Sequence, residues 1–168
     1  VQIARILQAT DNMARDIGHA HPQVSCRIAD SPRQLMRDSQ VVIAATTSTD
    51  PVFEAELSDV TGKTFISIGS FTPEMKEFPD AVIQGADAVY VDTLFAAEES
   101  GDICRPLAEQ VVPKDRIQPF SSVLERPVDT QGSTFFFKSV GMALFDLTAA
   151  AAVFDWGKLE NQGQVLET

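Results

Sequence analysis

The stretch VVIAATTSTD, Val41 to Asp50, decides the fold. Five apolar residues in a row, three of them β-branched, run directly into Thr46, Thr47 and Ser48. An unbroken apolar run predicts a strand over Val41–Ala45 covered on both faces, as in a parallel sheet. The pattern recurs twice. Phe65–Ile68 runs into Gly69-Ser70, and Ala88–Val91 runs into Asp92-Thr93. Helical patterns separate these runs, which implies right-handed crossovers and an open α/β sheet with helices on both faces. Ligands of such sheets bind beyond the carboxyl ends of the strands. The Thr, Ser, Gly and Asp residues that follow each run are therefore the first site candidates.

Toward the N-terminus, Ile3–Ala9 reads as a strand, and Asn12–His19 as a helix with Asp11 as N-cap. Val24–Ile28 reads as a second short strand. Ser31-Pro32 opens a helix through Met36, with Ser as cap and Pro at the first helical position. Toward the C-terminus, Phe95–Glu99 reads as one or two helical turns. Pro106, Pro113, Pro119 and Pro127 make Arg105–Gly132 a loop-rich excursion. The run TFFFKSVGMALFDLTAAAAVF, Thr134–Phe154, then begins as a strand and turns into a helix near Ser139 without a loop. Val140, Ala143, Leu144, Leu147, Ala150, Ala151 and Phe154 recur at helical spacing, while Met142, Phe145, Ala149 and Val153 occupy the other side. A helix apolar on most sides is expected in a core or against another subunit. From Gly157 the tail is polar and expected to fray.

The chain has 168 residues, 44% of them hydrophobic, which suits a domain with a real core and argues against disorder. Its formal charge of −11 speaks against nucleic acid and anionic membrane surfaces as partners, since both need clustered Lys and Arg. No apolar run is long enough to span a bilayer, and the first residues lack the basic leader of a signal peptide. Cys26 and Cys104 lack metal-like spacing and read as free thiols of a cytoplasmic protein. His19 and His21 have no further ligand-type residues near them in sequence, so no metal site is expected.

Lys138, Ser139 and the Gly141 backbone, at an expected helix start, offer donors to a phosphate or carboxylate; the plain alternative is a Lys at a helix entrance. Gly69-Ser70 permits close backbone approach to a ligand or is simply a turn. Thr46–Ser48 either lines a site or closes a strand. Asp92 is a site carboxylate or a cap, and Asp146 hydrogen-bonds within a site or caps a neighbouring element. The nine glycines are too scattered for a dinucleotide fingerprint or a phosphate loop.

Four motifs resemble the ornithine cyclodeaminase/mu-crystallin family of NAD(P)-dependent enzymes. They are ADSPRQLMRDSQVVIAATTSTDPVF (Ala29–Phe53), FISIGSFTPEMKEF (Phe65–Phe78), ADAVYVDTLFAAEESGDICRPL (Ala86–Leu107) and FFKSVGMALFDLTAAAAVFD (Phe136–Asp155). The resemblance implies a partial Rossmann-like, doubly wound, mostly parallel sheet with a long C-terminal helix. Residues 1–132 would be a truncated dinucleotide-binding domain, 133–156 a return strand and helix toward a dimer platform, and 157–168 a polar tail. It also implies that Ala45, Thr46, Thr47, Ile68, Gly69 and Ser70 line the nicotinamide nucleotide, with Lys138, Ser139 and Gly141 near cofactor and substrate. The family's N-terminal region, with its glycine-rich loop, substrate-binding Lys and Arg, and dimer platform, has no counterpart here.

The family's cyclodeaminases carry a proton-accepting Asp two residues after the first Gly of the IGS motif. Here that position is Phe71, which cannot move a proton. The GSFTPEM form resembles the family's imine reductases instead. The expected activity of the full-length relative is therefore NAD(P)H-dependent reduction of a cyclic imino acid, as by a pyrroline-2-carboxylate reductase, with no catalytic residue assignable in this chain. The alternatives are a non-enzymatic α/β module that oligomerises or binds nucleotide weakly, and, disfavoured by Phe71, ornithine cyclodeaminase. The only residue bearing on NADH against NADPH is Asp11, a weak pointer to NADH. The apolar C-terminal helix is expected to pair with a second copy of the chain, as a homodimer or larger homo-oligomer, or to fold back on its own sheet.

Overall fold

A computed structural model of the chain describes residues 2–125 and 128–164, with the backbone alone described for residues 2–9. Pro127 and the end of the polar tail lie outside the described residues. The chain divides into two compact units after Ser39.

The first unit holds α1 (Gln2–Ala20) and α2 (Pro32–Asp38). The strand expected over Ile3–Ala9 is helical. Ile3, Ile6, Leu7, Met13, Ala14 and Ile17 follow one helical stripe, so the short apolar start belongs to a single long amphipathic helix. Asp11 therefore lies mid-helix rather than at a cap, and its position no longer marks the end of a second strand. Val24–Ile28 forms no strand either; among the described residues no other strand pairs with it. Helix α2 starts where the sequence places it. Ser31 Oγ accepts the Gln34 N–H at 3.2 Å, and Gln34 Oε1 accepts the Asp30 N–H at 2.9 Å.

The second unit runs β1 (Val41–Ala44), α3 (Leu57–Val60), β2 (Thr64–Ser67), α4 (Asp80–Gly85), β3 (Ala88–Val91), α5 (Ala96–Glu99), α6 (Gly101–Ala108), β4 (Ile117–Pro119), α7 (Ser122–Glu125), β5 (Phe135–Lys138) and α8 (Ala143–Leu159). The five strands form one parallel sheet in the order β1-β2-β5-β3-β4. The last strand thus sits in the middle of the sheet. β4 arises inside the stretch read as loop. It is three residues long, ends in Pro119 and lies at the edge, where a proline removes no needed ladder bond.

Register places Val42, Phe65, Phe136 and Val89 in one buried row. The next row, at the carboxyl ends, is Ala44, Ser67, Lys138 and Val91. Phe78 meets Phe65 and Phe136 edge-on, with centroids 5.8 and 5.6 Å apart, and Val60, Val82, Ile83 and Ile103 complete this core. The opposite face carries Tyr90, Phe135 and Phe137 with Phe120. The expectation that Val41–Ala45 is covered on both faces is not met. β1 is an edge strand that buries Val42 and Ala44 while Val41 and Ile43 stay 53% and 61% exposed.

The strand-to-helix run also differs from expectation. Residues 139–142 separate β5 from α8, with Gly141 at φ +83°, so the helix starts at Ala143 and not at Ser139. None of the residues of α8 is buried: Leu147, Phe154 and Trp156 are 66%, 62% and 57% exposed. Among the described residues of its own unit the helix neither enters a core nor folds back on the sheet. Lys158 lies over the Phe154 ring at 4.3 Å. Among the described residues no helix is long and apolar enough to cross a membrane.

Candidate active site

β5 lies between β2 and β3, and ligands of open parallel sheets bind in a crevice beyond the carboxyl ends of the strands. Four turns border it: Ala45–Thr47, Ile68–Ser70, Asp92–Thr93 and Ser139–Gly141.

Glu77, fully buried, organises two of these turns. Its Oε1 accepts the Thr46 N–H, and its Oε2 accepts the N–H groups of Gly69 at 2.8 Å and Ser70 at 3.3 Å. The close approach for which Gly69 is needed is therefore internal. A Cβ there would lie 1.9 Å from the Thr46 carbonyl oxygen and 2.6 Å from Glu77 Oε1. Glu77 was not among the candidates read from the sequence. The signal that could have found it is a charged residue, in KEF, immediately before the buried Phe78.

Ser67 lies beside Glu77. Its Oγ is 3.0 Å from Glu77 Oε2 and 2.7 Å from Asp102 Oδ2, and it accepts from Lys138 Nζ at 3.0 Å. Lys138 Nζ also donates to the Ser67 carbonyl at 3.3 Å. Asp102 Oδ1 accepts the N–H groups of Glu77 at 2.8 Å and Phe78 at 2.9 Å. Lys138, Glu77, Ser67 and Asp102 are all buried, and every one of their polar atoms has a partner. Burial pushes the Asp102 carboxyl above its ordinary range, opposed by the Phe78 N–H, Ser67, the Glu77 N–H and Lys138. Burial pushes the Lys138 ammonium below its ordinary value, opposed by Asp102, Glu77 and Asp92.

Lys138 thus lies beneath the crevice, in the sheet, rather than at a helix entrance. The other donors that the sequence offered to an anion are spent on Asp92. Asp92 Oδ2 accepts Ser139 Oγ at 2.8 Å, Val140 N–H at 2.9 Å and Gly141 N–H at 2.8 Å, and Oδ1 accepts the Thr93 N–H at 2.7 Å. Asp92 ties β3 to the turn after β5, and it is this clamp that delays the start of α8. Asp146 is exposed in the first turn of that helix, where a carboxylate favours the helix dipole.

The loop from Gly69 to Phe78 is held from several sides. Ser70 Oγ donates to the Met75 carbonyl at 2.6 Å and lies 2.8 Å from Ser100 Oγ. Arg105, from α6, donates to the carbonyls of Pro73 at 2.9 Å and Thr49 at 3.3 Å, and also to that of Glu74. Phe71 projects from this fixed loop with 53% exposure. Around it Ala45, Thr46, Thr47 and Ile68 are exposed, so the rim offers methyl groups, two hydroxyls and an aromatic ring, while Ser70 and Lys138 are buried. Such a rim suits a flat, weakly polar ring. His19 and His21 are exposed, and among the described residues no three His, Cys, Asp or Glu side chains converge as a metal would need. Cys26 and Cys104 are free thiols.

The profile of the ornithine cyclodeaminase/mu-crystallin family matches residues 3–161. The chain is 28% identical over 141 residues to the Delta(1)-pyrroline-2-carboxylate reductase of Bacillus cereus, an alignment covering 81% of this chain and 43% of that protein. It is 30% identical over 136 residues to mouse ketimine reductase mu-crystallin, covering 79% and 41%. In fold it is similar to Thermococcus litoralis Delta(1)-pyrroline-2-carboxylate reductase, solved with NADH and L-proline, with a TM-score of 0.78 and 21% identity over 93% of this chain and 49% of that one. The chain spans less than half the length of the curated relatives it matches.

Proposed function

The chain belongs to the ornithine cyclodeaminase/mu-crystallin family, and from that premise we propose that it is the nucleotide-facing part of an NAD(P)H-dependent reductase of a cyclic imino acid. The observation that carries this reading is Phe71, exposed on a fixed loop at the crevice where a cyclodeaminase needs a proton acceptor. An imine reductase needs none there, because hydride goes straight to the imine carbon and the protein's part is orientation and electrostatics. The similarity to curated imine reductases supports the same reading.

The bound nicotinamide would supply the hydride. The exposed rim of Ala45, Thr46, Thr47 and Ile68 fits the nicotinamide end of the cofactor, with Gly69 and Ser70 shaping the rim from below and Ser139 and Gly141 bordering it. Lys138 would lie beneath the rim, near cofactor and substrate, with its ammonium held on Ser67. The pyrophosphate is a different matter. The N–H groups of Thr46, Gly69, Ser70, Val140 and Gly141 are committed to Glu77 and Asp92 and leave none of these free for a phosphate. The substrate carboxylate would likewise be held by groups outside this constellation. Cytoplasmic residence and a homodimer built on α8 belong to the same proposal.

Titration of the chain with NADH and NADPH, followed by nicotinamide fluorescence, tests the reading. Saturable binding of either cofactor, weakened by a T46W substitution that fills the rim, is expected. Failure of both cofactors to bind would count against it and favour a module that only self-associates.

A further inference from the structure

Ser67 has one hydroxyl hydrogen, yet its Oγ touches two carboxylate oxygens, Glu77 Oε2 at 3.0 Å and Asp102 Oδ2 at 2.7 Å. The Lys138 ammonium already donates to that same Oγ. A hydroxyl gives one hydrogen and accepts on its two lone pairs. With both carboxyls ionised, one of the two contacts would set oxygen against oxygen with no hydrogen between, among buried groups. One carboxyl must therefore hold a proton.

The backbone identifies which. Both Glu77 oxygens accept N–H groups, Oε1 from Thr46 and Oε2 from Gly69 and Ser70. A proton on either would face those donors. Asp102 Oδ1 also accepts two N–H groups, but among the described residues Oδ2 is hydrogen-bonded to Ser67 alone. We propose that Asp102 is a neutral acid whose Oδ2–H donates to Ser67 Oγ, and that Glu77 is the ionised positioning residue which fixes the turns 45–47 and 68–70 of the crevice. Ser67 then accepts from Lys138 and Asp102 and donates to Glu77, so the hydroxyl hydrogen and the carboxyl hydrogen each have one acceptor. Lys138 and Glu77 balance in charge, and the floor of the crevice is neutral. The charged and polar groups facing this proton are Ser67 from β2, Lys138 from β5, Glu77 from the 69–78 loop and Ser100 beside Asp102 at the start of α6, with Asp92 acting on Lys138 from the end of β3. The site of the proton stands on this geometry alone. The positioning role rests on the function proposed above.

D102N and E77Q separate the two carboxyls. Asn at 102 reproduces the neutral acid, with its oxygen toward the two N–H groups and its NH2 toward Ser67. Gln at 77 must turn an NH2 group against N–H donors. D102N should melt within about 3 °C of the parent at neutral pH, and E77Q roughly 10 °C below it. Carboxyl carbon NMR of the parent should show one Asp still protonated at neutral pH, absent from D102N, while Glu77 is ionised. In E77Q the amide protons of Thr46, Gly69 and Ser70 should move upfield together while those inside β1 and β2 stay. If E77Q does not fold, the parent and D102N spectra still decide. An Asp102 that ionises near the ordinary value of about 4, or a D102N as damaging as E77Q, overturns the assignment. In an NADH titration D102N should keep the parent's affinity within about twofold. A parent that binds no nucleotide defeats the proposed function and leaves the proton to be judged by the spectra.

Discussion

Gly69 and Thr46 approach so closely that a single methyl group on Gly69 would sit 1.9 Å from the Thr46 carbonyl oxygen. The obstacle is backbone, which cannot swing aside as a side-chain tip can. G69A should therefore push β1's turn off the Glu77 carboxylate and destabilise the chain by roughly 1–3 kcal/mol or more. Urea unfolding measures this, and a change below about 0.5 kcal/mol would show that the two turns are not locked together.

The sheet was readable because Val41–Ala45, Phe65–Ile68 and Ala88–Val91 are short, mostly apolar runs that each end at a polar turn. What could not be read was which strand lies beside which. Nothing local in FFFK says that it inserts between β2 and β3, and that insertion is what brings Lys138 onto Ser67. Ile3–Ala9 was misread because seven apolar-rich residues fit either period; the rest of the helical stripe lies beyond them. The buried carboxyls Glu77 and Asp102 were missed for a related reason. In KEF and SGD each reads as a solvated charge, and only tertiary placement gives them N–H donors. Of the candidate site, the turns were legible and the groups beneath them were not.

Asp92 gathers the Ser139 hydroxyl and the N–H groups of Val140 and Gly141 on one oxygen. Charge-assisted bonds of this kind are the stronger ones, and D92A leaves the donors without an acceptor. The expected loss is about 1–3 kcal/mol, together with faster amide exchange at Val140 and Gly141 than in the rest of β5. Unchanged exchange there would mean that the turn holds itself.

Lys138 is the buried cation that balances Glu77. K138M would leave an uncompensated carboxylate in the core, a change that costs about 3–5 kcal/mol. The pH dependence has a definite sign. Burial holds the Lys138 ammonium below its ordinary value of about 10.4, so between the folded and ordinary values the unfolded chain binds more protons. Stability from this group is lost as pH falls through the folded value and regained as pH rises. The parent's advantage over K138M should therefore widen in alkaline solution. A constant difference from neutral to alkaline pH would argue against a shifted Lys138.

Asp102 has the opposite sign. Its carboxyl is pushed up, chiefly by burial, so its contribution is fully present below the ordinary carboxylate value of about 4 and is lost as pH rises through the folded value. D102N has no proton to lose. The stability of the parent relative to D102N should decline from acid toward neutral pH, read from thermal unfolding of both at matched pH. A relative stability that instead rises with pH would mean an Asp102 that folds ionised.

Helix α8 presents Leu144, Leu147, Phe154 and Trp156 to solvent, each more than half exposed. Apolar surface of this extent on one element marks an interaction face. A second copy offers the same surface, and two such helices packed together would remove several large side chains from water at about 25 cal/mol per Å2. Light scattering should therefore give a mass that is a multiple of the 18.3 kDa chain. L147E with F154E should bring it to the mass of one chain with the circular dichroism of the sheet intact. A parent already at the mass of one chain at micromolar concentration would show that α8 is not a self-association surface.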